Sequence, residues 1–410
     1  MNVASFIARR IAFNQQRSFS RFIIRLSILA TVLSVMVMIV TLAFANGFQN
    51  TISQKVFSFW GHIRIQNFET ARVAIAEETP IPKSDSVTNL IRNHPSLTAV
   101  QAFATKNAIL KTSESIAGIL FKGVEKDYNF SNLDRFLIEG RWVAFSDSGY
   151  SSEIVISQPT ANKLQLKLNE KVLIYFIQSG GAPPRPRKLT VTGIYKTGIE
   201  EYDKLIAIGD LALVQRLNNW DSNMVGGYEI FLKDYKEMDR ISEEIYPDIP
   251  IGLKSSTVMQ LYPNIFDWLS LQNQTILIVV LIMVAIASLN LITCLLILVL
   301  ERTRMIGILK AIGAQNSTVQ QLFLFNGGII TITGLFFGNL GGLLVCWLQE
   351  KYEFIPLPED AYYMSTAAVD IVWWQVGLVN AFTLLICLLV LLIPTILVKR
   401  IRPVRAIQFR

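Results

Sequence analysis

Charge is scarce in this 410-residue chain: Asp, Glu, Lys and Arg together make up 17% of it, against about 25% in an average soluble domain. Histidine and cysteine are scarcer still, at 2 and 3 residues. His62 lies in a strand-like run and His94 just before a proline, neither at metal-ligand spacing, so no metal centre is expected. Cys294, Cys346 and Cys387 all fall in apolar runs. No disulfide framework therefore holds the polar part of the chain, which must fold on its own core. The phosphate loop Gly-x-x-x-x-Gly-Lys-Ser/Thr and the nucleophile turn Gly-x-Ser-x-Gly are both missing, which removes the common nucleotide-binding and hydrolase routes. The chain reads as a non-enzyme.

Apolar residues are abundant, at 51% with a mean hydropathy of +0.40. Phe22–Ala45 is interrupted only by Arg25, while Thr275–Leu300, Gln321–Gln349 and Ile371–Val398 contain no Asp, Glu, Lys or Arg. A membrane span needs about 20 mostly apolar residues, so four transmembrane helices are expected, at 22–46, 271–300, 321–349 and 371–398. Ala43-Phe44-Ala45 has the form of a signal-cleavage site, but a signal core runs about 7–15 residues. The longer run here reads as a retained anchor.

The charges that remain are sorted by position. Residues 1–25, the 301–320 loop and the 399–410 tail carry +5, +2 and +5. Residues 47–270 hold 24 basic and 25 acidic residues, and 350–370 sums to −4. Lys and Arg mark the cytoplasmic side, so both termini and the 301–320 loop are expected inside, with 47–270 and 350–370 outside. The net +7 of the whole chain is a record of topology and gives no support to nucleic-acid binding. No chain of ionisable residues crosses the spans, so a proton-coupled carrier lacks its relay.

Within 47–270, β-like runs recur at 62–66, 98–110, 115–124, 153–157, 171–177, 188–195, 205–208 and 228–232. Helical patterns lie at 84–93, 159–167, 210–220 and 234–246, with Ser84 and Asp210 as N-caps. The expected fold class is an α-helical membrane protein with four transmembrane helices. A large α+β domain is inserted between its first and second spans, in two lobes, the second at about 105–200. Between two strand runs stands Gln178-Ser-Gly-Gly-Ala-Pro-Pro-Arg-Pro-Arg-Lys188. Its composition predicts a stiff, partly polyproline loop. It reads either as an ordinary hairpin loop or as a basic protrusion offered to a partner through Gly180, Gly181, Pro183, Pro184, Arg185, Pro186 and Arg187.

Three further patterns bear on mechanism. After Leu300, Met305, Ile306, Leu309 and Ile312 recur at helical spacing with Arg302, Arg304 and Lys310 mostly off that stripe. Gly313 is placed to end this helix in a left-handed conformation, and Ser317-Thr-Val-Gln320 reads as a capping box for the next. The segment either lies in lipid headgroups or docks a soluble subunit. Residues 1–21, with Phe6, Ile7, Arg9, Arg10, Ile11 and Phe13, read as an interfacial anchor helix. In the third span Gly334, Gly338 and Gly342 are spaced by four, with Gly341 beside them, which predicts a close interhelical contact.

With one span, a large external domain and three further spans in place, the chain resembles the FtsX-like (MacB-type) permease superfamily, and within it the lipoprotein-releasing, Lol-type permeases. The resemblance covers the whole length. Its motifs are Asn46-Gly47-Phe48, Gly61-His62-Ile63, Glu301-Arg-Thr-Arg-Met-Ile-Gly-Ile-Leu-Lys-Ala-Ile-Gly-Ala314, Ile355-Pro-Leu-Pro-Glu-Asp-Ala-Tyr-Tyr363 and Arg402-Pro-Val-Arg-Ala406. Two positions depart from the family pattern. Met305 stands where Glu is usual, and Asn169-Glu170 replaces Gly-Asp.

The resemblance implies an inner-membrane permease with a periplasmic domain, paired with itself or with a paralogue and served by two ABC ATPase subunits. ATP and Mg would be bound by those partners, with no cofactor in this chain. The task implied is to extract lipoproteins and pass them to a periplasmic lipoprotein carrier. On this reading Glu301, Arg302, Arg304, Met305, Ile306, Gly307, Ile308, Leu309, Lys310 and Gly313 form the ATPase-coupling helix. The Gly180–Arg187 segment is the carrier-binding loop, and Met36, Val40, Phe44, Ile265 and Leu269 line a lipoprotein cavity. A MacB-type exporter or mechanotransmission permease for peptides, toxins or drugs shares the topology. So does an FtsX-like cell-division signalling scaffold, although its external domain is usually smaller.

Overall fold

The computed structural model describes residues 19–68, 79–90, 94–147, 149–178 and 181–390. The anchor helix expected before Phe19, the end of the fourth span and the Arg402–Ala406 motif lie outside the described residues. The chain divides into two compact units. One comprises residues up to Asn50 with Leu269–Pro356 and Thr366 onward, and the other comprises Thr51–Trp268 with Leu357–Ser365.

Among the described residues four helices are long and apolar enough to cross a membrane: Phe22–Trp60, Pro263–Glu301, Asn316–Tyr352 and Trp373–Val390. The first is part of an uninterrupted helix from Phe19 to Trp60, 42 residues in all. At 1.5 Å per residue it is about 63 Å long, twice the roughly 30 Å hydrocarbon core of a bilayer. The helix thus runs 14 residues past position 46, where the apolar pattern ends. Pro263 occupies the first helical position of the second long helix, where its missing N–H costs nothing.

Gly47, inside the first helix, is explained by its neighbour. A Cβ at that position would fall 2.3 Å from the Ala368 carbonyl oxygen. The same contact zone carries a hydrogen bond from Asp370 N–H to the Ala43 carbonyl at 3.0 Å. Asn46 Nδ2 donates to Gln375 Oε1 at 2.6 Å, and Asn50 Nδ2 donates to Asp370. The Asn46-Gly47-Phe48 motif is therefore where the chain entering the fourth span lies against the first.

The glycine row of the third helix meets that first helix. Cβ atoms at Gly334, Gly338 and Gly342 would stand 2.5, 2.7 and 3.1 Å from Thr31, Val35 and Ile39. Both series ascend together, so the two helices run parallel. That direction follows if the second long helix crosses back between them, as the charge pattern requires. The third and fourth helices are joined by reciprocal amide hydrogen bonds between Asn339 and Asn380, at 2.7 and 2.8 Å.

The other unit is built on one ten-stranded sheet. In chain order its strands are β1 (Ile63–Asn67), β3 (Leu97–Lys111), β4 (Ile116–Val124), β5 (Leu137–Gly140), β6 (Glu153–Ser157), β7 (Lys171–Phe176), β8 (Arg185–Tyr195), β9 (Ile206–Asp210), β11 (Gly227–Leu232) and β12 (Leu253–Thr257). The short strands β2 (Ile81–Pro82) and β10 (Met224–Val225) pair separately. The spatial order is β12-β1-β11-β3-β4-β9-β6-β8-β5, with β7 bonded to β3 and β8. Among the described residues only β4/β9 and β6/β8 pair in parallel. The strands of residues 105–200 hydrogen-bond into the same sheet as the rest.

Short helices cover the sheet at Gln158–Leu164, Leu211–Asn218 and Met238–Ile245. Asp210 caps the second of these by accepting from Ala212 N–H at 2.9 Å. Ser84 holds an N-cap position, but its side chain makes no capping bond.

At the centre of this unit sits a buried ion pair, Lys122 Nζ to Glu229 Oε1 at 2.7 Å, with both side chains almost fully excluded from solvent. Lys122 also donates to the Phe59 carbonyl in the last turn of the first long helix, where a cation complements the helix dipole. Arg64 lies between the rings of Trp60 and Phe103, at 4.8 and 4.5 Å from their centroids. Burial and the Glu229 charge raise the Tyr128 hydroxyl well above its ordinary pKa.

Candidate functional site

The segment after the second long helix forms a separate helix, Thr303–Ala311, broken from it at Arg302. Its end is a Schellman turn. Ala314 N–H donates to the Leu309 carbonyl at 2.9 Å, Gly313 N–H donates to Lys310 at 3.1 Å, and Gly313 takes φ +102°. Ile306 and Gly307 are buried. Ile306 packs with Leu298, Val319 and Leu322, and Met305 packs against the same cluster.

The structure departs from the sequence pattern at two points. Ile312 falls on the apolar stripe by spacing, yet it is 79% exposed, because the Schellman turn carries it away from the seam that holds Ile306. The capping box at Ser317 is absent, since the next helix starts at Asn316 with Gln315 at its N-cap. The exposed side chains here include Glu301, Arg304 and Ile308, one acidic, one basic and one apolar.

The proline-rich segment is a hairpin between β7 and β8, and its strand begins earlier than its composition suggests. Arg185, Pro186 and Arg187 pair with Phe176, Tyr175 and Ile174, so the loop proper is shorter than 178–188. Proline is tolerated in β8 because the pairing of β8 with β6 begins only at Thr190. Arg185 is held in place, with Nη1 donating to the Leu217 carbonyl at 2.8 Å and to Asn219 Oδ1 at 3.2 Å. Gly181, Pro183, Pro184 and Pro186 are exposed, and Gly181 has φ +76°. Gly180 lies outside the described residues.

Of the apolar side chains assigned to a cavity, Met36, Val40 and Phe44 are half-buried, as is Ile265, and Leu269 is buried. Met36 Sδ lies 3.3 Å from where a Gly341 Cβ would stand, which sets it against the third helix.

The Ile355–Tyr363 motif has a role that sequence reading did not find. Glu359 pairs with Lys196, and Lys55 donates to the Tyr363 carbonyl. The Tyr363 hydroxyl donates to Glu201 Oε1 at 3.3 Å, and its ring meets Trp268 edge-on at 6.1 Å. Beside this clasp the buried Asp203 carboxylate accepts from Thr197 N–H, Thr197 Oγ1 and Gly198 N–H at 2.9, 2.8 and 2.9 Å. Burial raises the Asp203 pKa against those hydrogen bonds, and burial lowers that of Lys55.

Among the described residues no group of three or more His, Cys, Asp or Glu side chains is placed to hold a metal ion. His94 bonds Glu244 at 3.1 Å. His62 Nδ1 accepts from Leu232 N–H at 3.0 Å, and burial pushes its pKa down to about 4.

Two family profiles match successive parts of the chain. The profile of the MacB-like periplasmic core domain matches residues 26–245, more than half of the sequence. That of the FtsX-like permease C-terminal family matches 277–403. The chain is 22% identical over 419 residues to the lipoprotein-releasing system transmembrane protein LolC of Xylella fastidiosa, spanning 98% of this chain and 97% of that one. It is 21% identical over 426 residues to LolE of Haemophilus influenzae, covering 100% of both. A solved structure of the periplasmic region of MacB from Actinobacillus actinomycetemcomitans aligns at 13% identity and TM-score 0.34, over 50% of this chain and 91% of that one.

Proposed function

The chain belongs to the FtsX-like, MacB-type permease family in its Lol-type branch, and from that premise we propose that it is the membrane subunit of a transporter that extracts lipoproteins from the inner membrane. End-to-end similarity to LolC and LolE proteins carries this reading, since it spans the external domain and every long helix. The protein is a multi-pass inner-membrane protein. Its large domain, between first and second spans, faces the periplasm, and both termini face the cytoplasm. The parallel first and third helices support spans that alternate in direction, and the Lys/Arg excess at the termini and in the 301–320 loop supports that orientation.

The physical task is costly. An acyl chain leaving lipid loses about 0.8 kcal/mol per CH₂, so a lipoprotein anchor represents tens of kcal/mol that must be rehoused. In this proposal Met36, Val40 and Phe44 on the first helix, with Ile265 and Leu269 on the second, receive the chains. The driving force comes from ATP, with Mg, on two partner ATPase subunits. Each docks on the outward face of Thr303–Ala311, with Arg304 and Ile308 as the contact and Ile306 as the anchor. A second permease, itself or a paralogue, completes the membrane part. The exposed prolines of the β7–β8 hairpin meet the periplasmic carrier. Arg185 stiffens the base of that hairpin.

Copurification tests the coupling. The wild-type chain is expected to retain a nucleotide-binding subunit that is lost in the Arg304→Glu, Ile308→Asp double variant. Retention of that subunit by the variant would contradict the docking assignment. Photocrosslinking from position 40 in cells tests the substrate, for which mature lipoproteins are the expected product. Capture of only soluble peptides or of wall hydrolases would favour the exporter or signalling branches of the family.

A further inference from the structure

A cleft of about 550 Å³ lies in the external unit. Its lining comes from the last turns of the first long helix (Gln54, Phe57), from His62, from β3 (Thr98, Gln101), from Arg135 and from the end of β11 with the residues after it (Lys233, Tyr235). The lining residues include no Asp or Glu but do include Arg135 and Lys233. The lining side chains are therefore net cationic, with Asp234 close enough for its charge to reach His62.

Its groups are organised. Arg135 is fixed by Nη1 to Gln54 Oε1 and Nη2 to the Gln54 carbonyl, both at 3.2 Å, and by Nη2 to Ser58 Oγ at 3.0 Å. Because His62 Nδ1 accepts a backbone hydrogen bond, the neutral ring carries its proton on Nε2 and is a donor there. Gln101 is 9% exposed, and its side-chain carbonyl oxygen has no hydrogen-bond partner. An unpartnered buried acceptor is costly, and a ligand amide N–H is the group that relieves it. The Phe57 and Tyr235 rings lie 5.2 Å apart, tilted at 37° to each other, and form an aromatic wall.

Amide acceptor, imidazole donor, aromatic wall and two cations together match an extended polypeptide bearing a carboxylate. An anionic lipid headgroup shares the charge but not the reach. Phe57 lies 11 residues beyond Asn46 on one continuous helix, about 16 Å further along its axis. The headgroup zone on each side is only about 5–8 Å thick. We propose that this cleft binds the polar polypeptide that trails from the acyl anchor of the substrate, with preference for an acidic residue in it. The proposal rests on the lipoprotein reading above and adds a peptide subsite to it.

The test uses the full chain in lipid nanodiscs and two fluorescein-labelled hexapeptides of Gly, Ser and Asn, one containing a single Asp and the other a single Lys. Anisotropy is expected to show the Asp peptide binding about fivefold more tightly. Lys233→Gln should reduce that ratio, and Gln101→Leu should weaken both peptides. Equal binding of the two peptides, or a ratio unmoved by Lys233→Gln, would overturn the proposal. A benzophenone amino acid at position 98, on the rim, gives an independent readout beside one at position 40. Lipoprotein captured at both positions supports the subsite. Capture at 40 with only lipid or nothing at 98 removes the subsite and leaves the transport reading standing, whereas capture at neither removes both.

Discussion

Gly338 of the third long helix faces Val35 of the first so closely that a Cβ on the glycine would fall 2.7 Å from Val35 Cβ. Gly334 and Gly342 repeat the contact one turn to either side, against Thr31 and Ile39. In lipid, where burial of apolar surface offers no drive between helices, such close packing is the main source of association.

Gly338→Val should therefore destabilise the membrane unit by about 1–3 kcal/mol, the usual cost of forced overpacking. Gly328→Ala on the same helix is the control, because nothing lies within 4 Å of its Cβ position. Thermal unfolding in detergent should show a lower midpoint for the first variant and an unchanged one for the second.

Removing one member of the Lys122–Glu229 pair leaves a buried charge alone, which costs about 3–5 kcal/mol. Lys122→Met is thus expected to be severe, all the more because the Phe59 carbonyl loses its donor. The double variant Lys122→Met, Glu229→Leu should lose less than the two single variants summed. A denaturant double-mutant cycle measures that difference.

The sequence made some of this legible and hid the rest for physical reasons. The four spans stand out because lipid excludes charge, and β3, β4 and β6 stand out as apolar runs bounded by polar and turn-forming residues. The 14-residue extension of the first helix was hidden, since residues 47–60 are too polar for a span and begin with a glycine. That glycine answers to Ala368, more than 300 positions away. Leu253–Thr257, with three hydroxyl side chains in five residues, carries little strand signal and owes its place to pairing with β1. The glycine row was visible, but its partner was not. Likewise the proline hairpin was visible as composition, whereas its anchoring by Arg185 on Leu217 needs the fold. Lys55, Lys196, Glu201 and Glu359 meet only through tertiary structure, so no spacing announces their clasp.

His62 gives the external unit a signature in acid. Its folded pKa of about 4 lies below its ordinary 6.5, with burial as the main cause and Asp234 pulling the other way. As pH falls through 6.5 the unfolded chain takes up the proton first, so stability is lost between 6.5 and 4 and levels off below. The total contribution is about 3 kcal/mol at roughly 1.4 kcal/mol per unit. In a melting series from pH 7 to 4, His62→Asn should show a shallower decline than wild type.

Gly313 adopts φ +102°, where a side chain is strained by about 1 kcal/mol. Gly313→Ala should loosen the Schellman turn and reorient Thr303–Ala311 without touching Arg304 or Ile308. Reduced retention of the ATPase subunit in pull-downs, with an unchanged melting midpoint for the external unit, is the expected pattern.

The most direct test of the account is release. The chain is reconstituted into proteoliposomes with its ATPase subunit, its permease partner and a fluorescent triacylated lipoprotein, and soluble lipoprotein is then measured in the presence of the periplasmic carrier. The account predicts release that requires ATP, Mg and carrier together and that is abolished by Arg304→Glu with Ile308→Asp. Lipoprotein that stays in the membrane while ATP is hydrolysed at the full coupled rate would contradict it.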